Sequence, residues 1–132
     1  MAGPLFRLVC TPATIDAAAD GWAGSMLEEG ELALLADGGG LEAISRVTHQ
    51  LDLVTVPLLR TENNAEQQEV TVMTYAAGKP LVWVAGSFGE QARQWAHERG
   101  PMTLLVETDR PLSDDERRRI ERFVVILGRQ AE

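Results

Sequence analysis

The stretch VWVAGSFGEQARQWAHERGPMTLLVE, residues 82–107, runs from one apolar segment through a small glycine loop and a polar helix-like segment into a second apolar segment. Ser87 stands where a helix N-cap belongs and Glu90 lies three residues on. That is the spacing of a capping box, in which serine oxygen and glutamate each satisfy one orphan amide. Gly100 and Pro101 stop the helix, because glycine tolerates the terminal conformation and proline cannot continue it. Phe88, Ala92, Trp95 and Ala96 then share one stripe and face a core, while His97 falls on the opposite side. The two apolar runs are expected to be parallel neighbours joined by a right-handed helical crossover.

Outward from this unit, LVWVAG (81–86) is continuously apolar, as a strand covered on both faces should be. EVTVMTYA (69–76) alternates, with Val70, Val72 and Thr74 on one side and Thr71, Met73 and Tyr75 on the other, which predicts a strand. Only AGKP separates the two, so an antiparallel hairpin is expected. Upstream, LDLVTVPLLR (51–60) is β-rich but carries Pro57, which removes a ladder donor and places the strand at an edge or breaks it. TENNAEQQ (61–68) reads as a turn or exposed loop. Leu41, Ile44, Val47 and Leu51 have helical spacing. ELALLA (31–36) is either a short strand or a helix end, and DGGG breaks it. Residues 5–10 predict a strand and 13–29 a helix, with Gly21 and Gly24 each unfavourable by about 1 kcal/mol relative to alanine.

After the quoted unit, MTLLVET (102–108) contains its second strand. SDDERRRIERFVVILG supplies another capping box, Ser113 with Glu116, and places Asp114 and Asp115 in the first turn, where the helix dipole favours them. Ile120, Phe123, Val124 and Leu127 form the buried stripe and Gly128 the expected stop. Arg117, Arg118, Arg119 and Arg122 alternate with acids, so they read as a solvated face held by intrahelical pairs and not as a nucleic-acid patch. The fold class that follows is α/β: a mixed sheet containing an antiparallel hairpin, with helices packed on it.

A chain of 132 residues, 45% of them hydrophobic, suits a single domain spanning residues 1–132. The net charge of -8 opposes attraction to phosphate backbones and anionic membranes, so nucleic acid and membrane are not the expected partners. Cys10 is the one cysteine and lies in an apolar run, where it reads as a small buried hydrophobe. No signal-peptide pattern or bilayer-length apolar run is present, and a soluble cytoplasmic protein is the expectation.

The glycine loop 85–89, between a strand and a helix start, is where backbone amides can hold an anion. It carries neither G-x-G-x-x-G nor G-K-[ST], and Glu90 adds negative charge there, so capping is the expected role and no cofactor is implied. His49 and His97 have no second ligand at zinc spacing, and no nucleophile elbow of the G-x-S-x-G kind occurs. Trp83 and Trp95 fall on core-facing positions.

With Ser87-Phe88, Ala92-Arg93 and Ala96 in place, residues 81–107 resemble the closing part of Mrr-type restriction endonuclease-like domains, in which a Ser/Thr-Gly-Phe loop leads from a strand into a helix with an Ala-x-x-x-Ala pattern. The resemblance implies a restriction endonuclease-like fold and a site with an acid at one strand start and Glu/Asp-x-Lys on the next. The two carboxylates would hold Mg2+ or Mn2+ and the lysine would position the attacking water. Asp52 corresponds to the first acid and Glu69 to the second. Thr71 stands where the lysine belongs, and Lys79, the only lysine, falls in the AGKP turn. The resemblance therefore implies a degenerate relative, in which the scaffold has outlived the site.

Two functions of different class follow. One is a non-catalytic interaction or regulatory domain acting through a protein partner or by self-association, with the edge near Pro57 and the loop 61–69 available for contact. The other is a metal-dependent nuclease using Asp52 and Glu69.

Overall fold

Five short apolar segments pair into one sheet in the order β3-β2-β1-β4-β5, and every pair is parallel. The strands are β1 (Phe6–Cys10), β2 (Gly30–Leu35), β3 (Leu58–Leu59), β4 (Leu81–Ala85) and β5 (Thr103–Glu107). The helices are α1 (Pro12–Asp16), α2 (Gly40–Gln50), α3 (Ala65–Ala76), α4 (Glu90–Arg99) and α5 (Asp114–Ala131), with a 3-10 turn at Gly100–Met102. This is a computed structural model that describes residues 5–16, 22, 26–35, 40–51, 56–108 and 110–131.

The connections set the layers. From β1 the chain steps outward through β2 to the edge strand β3, then returns past β1 to β4 and continues to β5. Right-handed crossovers in opposite directions place their helices on opposite faces. One face carries Phe6, Leu8, Leu32, Leu34, Val82, Val84 and Val106 against Ile15 of α1, Val47 of α2 and Ile120, Val124 and Leu127 of α5. The other carries Val9, Ala33, Leu81 and Trp83 against Val72 and Ala76 of α3 and Ala92 of α4. Leu81, Val82, Trp83 and Val84 are all buried, so β4 is a central strand covered on both sides, as its unbroken apolar run predicts. The arrangement is a doubly wound α/β sheet, open at β3 and β5.

Two expectations are overturned. The sheet is wholly parallel, and the predicted antiparallel hairpin is absent, because residues 69–76 belong to α3. Asn64 nucleates that helix: its side-chain oxygen accepts from the Gln67 amide at 2.8 Å. Glu69, Val72 and Ala76, spaced by three and four, are the buried residues of α3, whereas Val70 is half exposed. The alternation of β-branched residues is a coincidence of composition that the helical burial period overrides. Thr74 accommodates the helix by donating to the Val70 carbonyl at 2.8 Å. The link to β4 begins at Ala77, which has φ of 50°, a left-handed value that favours glycine.

ELALLA is a strand, β2, in its first five residues. The proline-bearing run reaches the sheet only as the two-residue edge strand β3, just after Pro57. The predicted helix at 13–29 is seen as α1 and, beyond it, falls largely outside the described residues. Gly128 does not stop α5, which continues to Ala131. Gly30 meets a close approach: a Cβ there would stand 2.5 Å from the buried ring of Phe6, its register partner in β1.

Two arginines fasten the bottom of α3. Arg7 of β1 lies 4.6 Å over the Tyr75 ring, donates to the Tyr75 carbonyl and approaches Glu31 at 3.4 Å. Arg99 of α4 stacks 4.4 Å over Trp95 and donates to the carbonyls of Ala77 and Lys79. Cations at the carbonyl end of a helix meet its unsatisfied acceptors and the negative end of its dipole. Burial lowers the Arg99 pKa and pushes that of the Tyr75 hydroxyl up to about 12, with Glu31 adding to the latter.

Candidate functional site

Where β1 and β4 lie side by side, their crossovers depart in opposite directions, β1 toward β2 and β4 toward β5. Open parallel sheets leave a crevice at such a switch point, at the carboxyl ends of the strands. A cavity of about 290 Å³ occupies this end of the sheet on the α3–α4 face. Leu35 closes it from the end of β2, Trp83 and Ala85 from β4, and Phe88 from the loop before α4. Trp83 and Phe88 meet edge to face, their centroids 5.0 Å apart, and Trp95 extends the stack 6.4 Å from Trp83. Polar groups enter from the first turns of α3, with Glu66, Gln68 and Glu69, and from Ser87 and Gly89.

Glu69 organises this wall. The residue is 7% exposed, and its Oε2 accepts the Gly89 amide at 2.6 Å, a short contact of the kind an ionised acceptor favours. Gly89 is the N-cap of α4 and makes no side-chain cap of its own. A carboxylate of one helix thus caps the next, satisfying an orphan amide and meeting the positive end of its dipole. A side chain at position 89 would intrude, since its Cβ would come within 3.1 and 3.3 Å of the two Glu69 oxygens. The expected capping box between Ser87 and Glu90 does not form: the helix begins at Glu90, and both side chains are exposed.

The loop before α3 is held to it by a polar clamp. Gln68 donates to the Arg60 carbonyl and accepts from the Glu62 amide, each at 3.0 Å. Thr71 donates to the Glu62 carboxylate at 2.5 Å, and Arg60 pairs with the same oxygen at 2.9 Å. These bonds, Thr71 first and Arg60 second, hold the Glu62 pKa below its ordinary value. Thr71, in the place of the expected lysine, is therefore a structural donor.

Of the residues singled out from sequence, Asp52 lies outside the described residues. Glu69 sits on α3 rather than on a strand, with its carboxylate on Gly89, and Lys79 is half-buried in the turn before β4. Cys10 ends β1 and is buried. Desolvation pushes its thiol pKa up to about 12, although its hydrogen bond with Thr14 pulls the other way, so it is a poor nucleophile at neutral pH. His49 and His97 are exposed. Among the described residues no three His, Cys, Asp or Glu side chains are grouped as a metal site, and no helix is long and apolar enough to cross a membrane.

Sequence reasoning identified Glu69 but assigned it to a metal. It missed the cavity, because Leu35, Glu69 and Phe88 meet only through the crossover order. No family model, curated protein or solved structure matches the chain.

Proposed function

We propose that the protein is a non-catalytic, regulatory binding domain. It takes a small ligand in the crevice at the carboxyl end of its sheet and acts on a protein partner or on a second copy of itself. The observation that carries this reading is the position of the cavity at the carboxyl end of the sheet, beside the topological switch point on the β4 side. The lining suits binding: an apolar interior of Leu35, Trp83 and Phe88 can desolvate a ligand, and a few polar groups at the rim can orient it. Glu69 holds α4 in place and so couples the cavity wall to the helix behind it.

The test is a small-fragment screen read by thermal shift on the wild-type chain and on Ala65→Phe, which fills the cavity mouth from an exposed position of α3. Fragments that stabilise the wild type and not the variant support the reading. A screen without hits, or hits that ignore Ala65→Phe, overturns it.

A metal-dependent nuclease built on Asp52 and Glu69 has less support. One oxygen of Glu69 is already committed to the Gly89 amide, and Thr71 is bound to Glu62 where the reaction needs a lysine. Incubation with DNA and RNA in Mg2+ or Mn2+ tests it, with Asp52→Ala and Glu69→Ala as controls.

A further inference from the structure

The electrostatics of the cavity narrow the class of ligand. Glu66 and Glu69 both line it, and among the described residues neither takes part in an ion pair. The arginines on the flanking segments are already paired: Arg60 with Glu62 at 2.9 Å, and Arg93 with Glu107 at 3.1 Å while its Nε donates to the Phe88 carbonyl at 3.2 Å. Each helix N-terminus beside the cavity contributes roughly half a positive charge. That of α4 is met by Glu69, and that of α3 by the Asn64 side chain with Glu66 in the first turn. Two carboxylates against two half charges leave the wall negative.

A carboxylate as buried as Glu69 is ordinarily paired with a cation. The hydrogen bond from Gly89 satisfies one of its oxygens and supplies no full counter-charge. Beside it stand the rings of Trp83 and Phe88, packed edge to face, and an aromatic ring attracts a cation at its face through the ring quadrupole. Trp83 is 2% exposed, and its indole N–H, a donor, has no acceptor among the described residues, so the same wall also offers a hydrogen bond to an acceptor on the ligand's body.

From these features we infer that the crevice binds a small organic ammonium ion, with the ammonium at the Glu66–Glu69 side and an apolar body against Leu35, Trp83 and Phe88. This rests on the crevice-binding reading above. The charge comes from the carboxylates without a counter-ion, and a cavity of about 290 Å³ gives room for a small molecule.

Three probes of matched shape separate the charge from the shape: 2-phenylethylamine, 2-phenylethanol and 3-phenylpropionate, titrated against the intrinsic tryptophan fluorescence of the full chain. The amine is expected to bind at least about tenfold more tightly than either of the others, the worth of a charge-assisted hydrogen bond, and to weaken as salt is raised. Glu69→Gln retains an oxygen to accept the Gly89 amide while removing the charge. It is expected to keep the fold by circular dichroism and to lose that tenfold preference, and Ala65→Phe is expected to block all three probes.

Equal binding of the three, tighter binding of the anion, or an amine preference that survives Glu69→Gln overturns the inference and leaves crevice binding standing. If none of the three binds, the inference falls. The crevice-binding reading falls with it only if the fragment screen also yields no hit sensitive to Ala65→Phe.

Discussion

The N-termini of α4 and α5 carry the same sequence signature and are built differently. Ser113 and Glu116 close a capping box: the Ser113 amide donates to Glu116 at 2.9 Å and the Glu116 amide to Ser113 Oγ at 3.2 Å. Ser87 and Glu90 have the same spacing, yet both are exposed, and the carboxylate of Glu69 caps the helix from twenty residues away in the chain. The α5 terminus faces solvent, so only local groups are at hand to satisfy its amides. The α4 terminus faces a neighbouring helix that offers a full negative charge, a stronger acceptor than a serine hydroxyl. A capping signature therefore states what the local chain can do, and packing decides whether it is used.

The largest effect should come from removing the long-range cap. Glu69→Ala leaves the Gly89 amide without its acceptor and opens space in a buried wall, at an expected cost of about 2 to 3 kcal/mol in urea unfolding. Glu69→Gln should recover most of that loss, because an amide oxygen still reaches the Gly89 amide. Recovery by glutamine but not alanine assigns the effect to capping, whereas equal losses would assign it to charge and break the comparison.

The same contrast between local and distant interactions explains what could be read in the sequence. β4 is a continuous apolar run, β1 and β5 are mostly apolar, and the parallel pairing of β4 with β5 follows from a helix too long for a hairpin. The Ser113 box is local and was legible. α3 was not, because Val70, Thr71, Val72 and Thr74 mimic a strand period. Asn64, followed by the helix-favouring run AEQQE, was the signal that competed with it. Glu69 and Gly89 stood in plain view, but their meeting depends on β3 crossing to β4 past β1, and that order is not written in any window of the chain.

The local cap of α5 should cost less to lose. Ser113→Ala removes one side-chain acceptor at an exposed helix end, and a loss of about 1 kcal/mol is expected in the same assay. Because the Glu116 carboxylate still accepts the Ser113 amide, Ser113→Ala with Glu116→Ala should exceed the single change. A double variant no worse than Ser113→Ala would show that the box is not reciprocal in solution.

Acid titration compares the clamp before α3 with these caps. The folded-state pKa of Glu62 is lowered from 4.5, so its contribution to stability is present above that value and lost as pH falls through the lower folded value. Thr71→Val removes the first cause of the lowering and should flatten this loss below about pH 4.5. An unchanged acid limb would mean that Arg60 alone sets the shift.

Smallest of all should be Ser87→Ala. In a working capping box this change would cost about 1 kcal/mol, as at Ser113. Here the hydroxyl is exposed and bonds no amide of α4, so the change is expected to stay within about 0.5 kcal/mol of wild type. The decisive form of the measurement places it in the Glu69→Ala background. With the distant carboxylate gone, the chain is free to form the capping box its sequence encodes, and Ser87→Ala should then become destabilising. That conditional cost would show directly that Glu69 overrides a latent local cap, and its absence would show that residues 86–89 cannot adopt the box whatever lies beside them.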